Sequence, residues 1–139
     1  MNISMFEMSI RKELHISEVS AALTFFFELS DLNVLSVDAF WELSEVEREE
    51  FIGIRLEYNG VGYRTLAIFY CYFEVVDEVL AGFAKYLAEN FGTEVAVGDY
   101  LHKADVVNDR FIVFQADGSR KFGFEKGDSD GFDVDVVDI

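Results

Sequence analysis

The chain has 139 residues, with 27 acidic and 11 basic side chains and a formal net charge of −16 at pH 7. This charge exceeds the magnitude of roughly 2–8 that keeps a small domain soluble, so it indicates a basic partner, a cation or a saline environment. It disfavours direct binding to nucleic acid, because a polyanion would be repelled and would release no counterions. Hydrophobic residues make up 51% of the chain, which excludes a disordered acidic tail and predicts one folded domain over residues 1–139.

Hydrophobic periodicity predicts five elements in the first half of the chain: a strand over 3–11, a helix over about 18–30, a short helix over 45–50, and strands over 51–58 and about 62–73. Ser17 is the expected N-cap of the first helix, while Ser36 and Ser44 are two possible starts for the second, of which Ser44 begins a capping box. Asn59-Gly60 predicts a tight hairpin turn, because both residues tolerate positive φ. The strand that follows is apolar on both faces in its second half, which predicts a central place in the sheet.

The second half of the chain predicts a helix over about 75–90 that Gly92 ends, strands over 93–97, 110–116 and 121–125, and an edge strand over 132–139. The resulting order is β-α-(α)-β-β-α-β-β-β. It predicts an α+β fold with a mainly antiparallel sheet. The economical topology is a ferredoxin-like split βαβ core with an extra C-terminal hairpin or edge strand and two to three helices.

Local composition argues against export, a membrane span and catalysis. The N-terminus lacks a secretory signal, and the longest apolar run has eight residues, 66–73, where a spanning helix needs about 20. Cys71 is the single cysteine, so no intramolecular disulfide can form and we expect a cytoplasmic protein. Neither His15 nor His102 adjoins a nucleophile motif, and one cysteine with two histidines excludes a soft-metal cluster. We therefore expect no enzyme activity and no cofactor.

Acidic residues concentrate in two segments, 38–50 and 125–139, each with six acids against one base. A solvated face is the usual role of such runs, but two runs on short rigid elements favour a docking surface. Aromatic side chains beside the acids would supply the anchors that tight interfaces use. The predicted partner-binding residues are Trp41, Glu42, Glu45 and Glu49 in the first segment and Asp128, Asp130, Phe132, Asp133 and Asp135 in the second.

Residues 127–135 are dense in the oxygen ligands that Ca²⁺ prefers. The EF-hand template fails here, because with Gly131 as the loop glycine its first ligand position falls on Lys126 and its glutamate position on Val137. We expect a solvated acidic turn and no metal site, with loose Ca²⁺ binding as the alternative.

The carboxyl half combines the helix that ends near Phe91, the run Gly92-Thr93-Glu94-Val95-Ala96-Val97 and the segment 110–118. In these features the chain resembles the bacterial immunity proteins of contact-dependent inhibition and related polymorphic toxin systems. The resemblance implies a protein that binds and neutralises a cognate basic toxin, with a nuclease as the expected class. We expect it to be a monomer or homodimer. Two alternatives stay open: a DNA-mimic inhibitor with carboxylates spaced like phosphates, and a halophilic-type ligand-binding domain with acids scattered over its whole surface.

Overall fold

A computed structural model of the chain describes residues 3–30, 33–100, 110–127 and 131–139. The elements in chain order are β1 (Ser4–Ile10), α1 (Ile16–Phe26), β2 (Val34–Ser36), α2 (Val37–Glu42), α3 (Glu45–Arg48), β3 (Ile52–Tyr58), β4 (Thr65–Cys71), α4 (Asp77–Phe91), β5 (Val95–Gly98), β6 (Arg110–Phe114), β7 (Arg120–Glu125) and β8 (Val134–Val137). The predicted α+β class is confirmed. None of the helices in this part of the chain has the length and apolar character needed to traverse a bilayer.

The strands form one eight-stranded sheet in the order β2-β3-β4-β1-β5-β6-β7-β8. The pairing of β2 with β3 is parallel and every other pairing is antiparallel, which confirms the mainly antiparallel prediction. β1 is central, because Ile10 pairs with Thr65 of β4 on one side and with Val95 of β5 on the other. β4 is also interior, as its apolar character predicts, whereas β2 and β8 are the two edges.

Helices α1 and α4 pack on one side of the sheet, the inner face. Leu23 of α1 and Phe83 and Leu87 of α4 are fully buried there, against inward-facing strand residues such as Met8 and Phe69. Both helices present apolar residues at spacings of three and four, which places them on one stripe. The main hydrophobic core therefore lies between α1, α4 and the inner face.

On the opposite side, the outer face, the described residues cover the sheet near its two ends. Helix α2 lies over β3, where Gly53 leaves room for Phe40, since a Cβ at Gly53 would lie 2.8 Å from Cγ of Phe40. Farther along the sheet, a second and smaller cluster contains Tyr63, Ala96, Val113 and Val134, with Phe111 and Phe132 packed against it. No helix among the described residues packs on the surface of β3, β4 and β1 between these two covers.

Two helix starts differ from the sequence prediction. Helix α1 begins at Ile16 rather than after Ser17, because the carboxylate of Glu18 accepts a hydrogen bond of 2.9 Å from the backbone N–H of His15. Both possible starts of the second helix are used: the hydroxyl of Ser36 caps α2 and the hydroxyl of Ser44 caps α3. The described residues therefore contain four helices instead of the two to three predicted.

The hairpin between β3 and β4 exists, but its turn is not the one predicted. Tyr58 pairs with Thr65, so the connection is the loop 59–64 and not a two-residue turn at Asn59-Gly60. Positive φ, 69°, occurs at Gly62 instead. The reason is tertiary: the N–H of Tyr63 donates a hydrogen bond of 2.8 Å to the carbonyl oxygen of Phe132, and this contact decides the path of the loop.

Candidate functional site

The two acidic segments belong to different edges of the sheet. Residues 38–50 follow edge strand β2, and residues 125–139 include edge strand β8. The structure therefore places Trp41, Glu42, Glu45 and Glu49 on one surface and Phe132, Asp133 and Asp135 on another. Asp128 and Asp130 lie outside the described residues.

The α2–α3 surface, defined as residues 37–50, carries a set of exposed carboxylates. These are Asp38, Glu42, Glu45, Glu47, Glu49 and Glu50. Within the described ranges, no lysine or arginine nitrogen lies within 4.0 Å of any of them. Their negative charge is thus not neutralised by those parts of the chain and faces solvent.

Arg48, the single base of this surface, donates hydrogen bonds to backbone carbonyl oxygens of the same surface. Its Nη2 donates a hydrogen bond of 2.6 Å to the carbonyl oxygen of Trp41, and its Nε donates one of 3.2 Å to that of Phe40. These carbonyls belong to the last turn of α2, where a cation also complements the helix dipole. Arg48 therefore caps α2 instead of pairing with the surrounding carboxylates.

The capping box of α3 holds Glu47 in place. The backbone N–H of Ser44, and then its hydroxyl, hold the pKa of the Glu47 carboxyl below its ordinary value of 4.5. The N–H of Glu47 in turn donates to the Ser44 hydroxyl at 3.3 Å. The helix is thus fixed by its own first turn, and its exposed carboxylates project from a rigid element.

Two apolar side chains lie among these acids. Trp41 is 43% exposed and Val46 is 75% exposed. The Trp41 ring is held in position, because it lies 5.8 Å from the Tyr70 ring and the Arg48 guanidinium lies 4.9 Å above it. An exposed but rigid tryptophan surrounded by unneutralised carboxylates has the composition of an interface anchor.

The C-terminal segment has a different electrostatic environment. Asp133 pairs with Arg11 at 2.9 Å and with Lys126 at 3.5 Å, and Asp135 pairs with Lys126 at 3.6 Å. The Phe132 ring is half-buried, 5.4 Å from the Tyr63 ring. Asp133 and Phe132 thus hold this segment to the body of the sheet, while Asp135 is exposed.

A partly buried polar cluster connects Arg11, just after β1, to Tyr63 and Glu94. The Nε of Arg11 lies 3.0 Å from a carboxylate oxygen of Glu94, and the hydroxyl of Tyr63 donates to the same oxygen at 3.1 Å. The Arg11 guanidinium also lies 4.5 Å over the Tyr63 ring. Burial, and then the charge of Glu94, raise the pKa of Tyr63 above its ordinary value. Sequence reasoning missed this cluster, because no local pattern links residues so far apart.

Asp133 makes the stability of the fold depend on pH. Partial burial raises the pKa of its carboxyl, but the N–H of Val134, the charge of Arg11 and that of Lys126 outweigh this and hold the pKa below its ordinary value of 3.8. Such a carboxyl stabilises the fold above its unfolded pKa, and this contribution is lost as the pH falls through the folded pKa. We expect Asp133→Asn to be less stable than wild type at neutral pH, with the difference narrowing below about pH 4. Urea unfolding over a pH series measures it.

The matched control for this prediction is Asp135→Asn. Asp135 also pairs with Lys126, but its side chain is 75% exposed, so we expect a much smaller loss of stability. A stability difference between Asp133→Asn and wild type that stayed constant from neutral to strongly acidic pH would contradict the role of this carboxylate.

The described residues show no arrangement for metal binding or nucleophilic catalysis. No group of three or more His, Cys, Asp or Glu side chains among them could hold a metal ion. Burial raises the pKa of the Cys71 thiol to about 11, so it is protonated at neutral pH and unreactive. His15 is exposed, and His102 lies outside the described residues.

The charges of the described residues thus distinguish the two acidic segments. On the C-terminal segment, Arg11, Lys121 and Lys126 lie within 4.0 Å of acidic side chains. On the α2–α3 surface the only base caps a helix, and exposed apolar side chains accompany the acids.

Comparisons of the chain with protein-family models, with curated proteins and with solved structures find no match.

Proposed function

We propose that this protein is a bacterial immunity protein that binds and neutralises a cognate basic toxin domain through the α2–α3 surface. The expected toxin class is a nuclease, and the protein acts in the cytoplasm as a binding partner without catalytic residues of its own. The observation that carries the proposal is the set of exposed carboxylates around Trp41 that no described base neutralises.

Electrostatics support this function. A nuclease cleft is basic because it binds a polyanion, and an inhibitor of opposite charge gains a faster encounter and better discrimination between partners. Four carboxylates of the α2–α3 surface lie on short helices with capped N-termini, so they need little reorganisation on binding: Asp38, Glu42, Glu45 and Glu47. Trp41 supplies a rigid aromatic anchor inside this acidic surface.

We further propose that β1, α1, β3, β4, α4 and β5 form a ferredoxin-like split βαβ core. The support is the antiparallel order β3-β4-β1-β5, together with the packing of α1 and α4 on one face. In this description β2 and β6–β8 are additions at the two sides of the core. An experimental structure with right-handed crossovers from β1 to β3 and from β4 to β5 is the test.

Neutralising the α2–α3 surface is expected to weaken binding to the toxin. The triple variant Glu42→Gln, Glu45→Gln, Glu49→Gln keeps side-chain size and removes three exposed negative charges. We expect a dissociation constant raised about ten-fold or more at low salt, mainly through slower association, together with a weaker salt dependence. The measurement is binding kinetics between the purified protein and the basic protein encoded by the adjacent gene, over a range of NaCl concentrations.

The matched control is Glu13→Gln, Glu78→Gln, Glu89→Gln, which removes the same charge from exposed positions elsewhere. We expect this control to change the dissociation constant about two-fold or less, because exposed distant charges are screened. Equal effects of the two triple variants would show that the attraction depends on net charge alone and would contradict a defined binding surface.

Two other results would favour the alternative functions. Loss of folding at low salt would favour the halophilic-type domain, and comparable binding to unrelated DNA-binding proteins would favour the DNA mimic.

A further inference from the structure

The part of the outer face that no described helix covers forms a floor next to the α2–α3 surface. Three cross-strand rows of β3, β4 and β1 make up this floor: Gly53-Tyr70-Met5, Arg55-Ile68-Glu7 and Glu57-Leu66-Ser9. The first row adjoins α2, because Phe40 packs on Gly53 and the Trp41 ring contacts the Tyr70 ring. Met5, in the same row, is 59% exposed. The floor is thus a continuation of the α2–α3 surface and carries an exposed apolar side chain.

A cavity of about 250 Å³ lies at the far end of this floor. Its lining includes Glu7 and Ser9 of β1, Leu66 of β4, and Glu125 of β7. The rings of Phe111 and Phe132, with centroids 4.9 Å apart, form its aromatic wall. The cavity therefore joins two carboxylates to two phenyl rings.

Glu7 and Glu125 give the lining of this cavity negative charge, while Lys126, which follows Glu125 in sequence, pairs with Asp133 and Asp135. No lysine or arginine in the part of the chain that the structure describes lies within 4.0 Å of the carboxylates of Glu7 or Glu125. Arg55, the base on the floor, is paired with Glu57 at 2.8 Å. An organic cation would be attracted both by the carboxylates and by the aromatic faces. A guanidinium or ammonium group on a flexible side chain matches this chemistry and this volume.

The α2–α3 surface and the cavity are close enough for a single partner protein to contact both. Tyr70, beside Trp41, and Leu66, at the cavity, are four residues apart on β4, which is about 13 Å along a strand. A standard interface covers about 800 Å² on each partner, far wider than this separation. One basic protein seated on the α2–α3 surface therefore reaches the cavity without rearrangement of the sheet.

We infer that the outer face of β3, β4 and β1 is a docking surface for the basic partner, and that the cavity formed by Glu7, Glu125, Phe111 and Phe132 receives a lysine or arginine side chain from it. The inference rests on the proposed function, since it names the part of the partner that this face recognises. It adds to the α2–α3 surface a second contact, which takes one cationic side chain.

The test compares the double variant Glu7→Gln, Glu125→Gln with the control Glu13→Gln, Glu78→Gln, which removes the same charge elsewhere. The first probe is the basic protein encoded by the adjacent gene. We expect the cavity variant to raise the dissociation constant about ten-fold or more, mainly through faster dissociation, because a charge pair formed in the cavity stabilises the bound state. The control is expected to change it about two-fold or less. Melting temperatures establish that both variants are folded.

The second probe is N-acetylarginine amide, titrated into isotope-labelled protein and followed by amide chemical shifts, with N-acetylglutamine amide as the neutral control. We expect shifts centred on Ser9, Leu66 and Phe111 that disappear in Glu7→Gln, Glu125→Gln. Shifts spread over all acidic surfaces would overturn the cavity assignment.

The possible results separate the two proposals. If the adjacent gene product binds and the cavity variant leaves its dissociation constant within about two-fold, the docking inference is wrong while the proposed function stands. If the gene product does not bind the wild type, the proposed function fails. In that case, binding of the arginine derivative at the cavity alone would still support the cavity as a site for a cationic side chain. Failure of the arginine derivative to bind there would overturn this site as well.

Discussion

Replacing Phe83 by alanine is expected to lower the free energy of unfolding by about 3–5 kcal/mol, as for other buried phenylalanines. The Phe83 side chain is fully buried in the main core. Its ring lies 5.2 Å from Phe26, 5.5 Å from Phe27 and 5.8 Å from Phe69, so it joins α1, α4 and β4. Truncation leaves a cavity among these rigid rings, which have little freedom to collapse into it. Urea unfolding followed by circular dichroism measures the loss.

The control for this prediction is Phe83→Leu, which keeps most of the apolar volume. We expect it to cost about 1–1.5 kcal/mol. Small domains have a total stability of about 5–15 kcal/mol, so the alanine variant loses a large share of its folded population at raised temperature. A loss below about 1 kcal/mol for Phe83→Ala would contradict the packing of α4 against the inner face.

Replacing Gly62 by alanine is expected to cost about 2–4 kcal/mol, although the residue lies in a surface loop. Gly62 has φ of 69°, where a side chain strains the backbone, and a Cβ there would overlap the carbonyl oxygen of Phe132. Relief of this overlap requires the loop to move away, which breaks the hydrogen bond from Tyr63 to Phe132. The hairpin loop then separates from the C-terminal segment. Chemical denaturation measures the cost.

Gly60→Ala is the matched control, in the same loop and two residues away. A Cβ at Gly60 meets nothing within 4 Å, and its φ is not positive. We expect no destabilisation, because alanine reduces the conformational entropy of the unfolded chain without strain in the folded one. Equal losses in the two variants would show that the loop does not contact residue 132 as described.

The elements that sequence predicts well are those whose own side chains determine them. Strand β3 alternates apolar and polar residues, and α4 repeats apolar residues at helical spacing, so each has only one way to bury its apolar face. β3 extends over Ile52–Tyr58 against a prediction of 51–58, and α4 over Asp77–Phe91 against about 75–90. Both differ by no more than two residues at either end.

The elements that sequence does not predict depend on contacts between distant parts of the chain. Strand β2 has three residues, Val34–Ser36, too few for a periodic pattern, and it pairs in parallel with β3. Asn59-Gly60 is the strongest local turn signal in its region, yet the docking of the loop onto Phe132 moves positive φ to Gly62. A local propensity of a few tenths of a kcal/mol to about 1 kcal/mol is outweighed by such tertiary contacts.

The candidate site likewise has features that the local sequence predicts and features that depend on contacts between distant residues. The density of acids in 38–50 and 125–139 is visible in the sequence, but the two segments look equivalent there. The two segments differ in the contacts of their basic side chains. Arg11 is distant in sequence from Asp133 and yet pairs with it, whereas Arg48 is surrounded by acids in sequence and yet caps a helix. Only three-dimensional pairing decides which negative charges remain available to a partner.

The central position of β1 constrains how the protein is made. Ile10 cannot pair with Thr65 or Val95 until the ribosome has added these residues, about 55 and 85 residues later. At 5–20 residues per second, the nearer of these arrives roughly 3–11 s after β1 has been synthesised. During that interval the backbone groups of the strand have no neighbour in the sheet, and Met8 and Ile10 are exposed. Translation speed through β3 and β4 therefore controls how long this segment is vulnerable to aggregation.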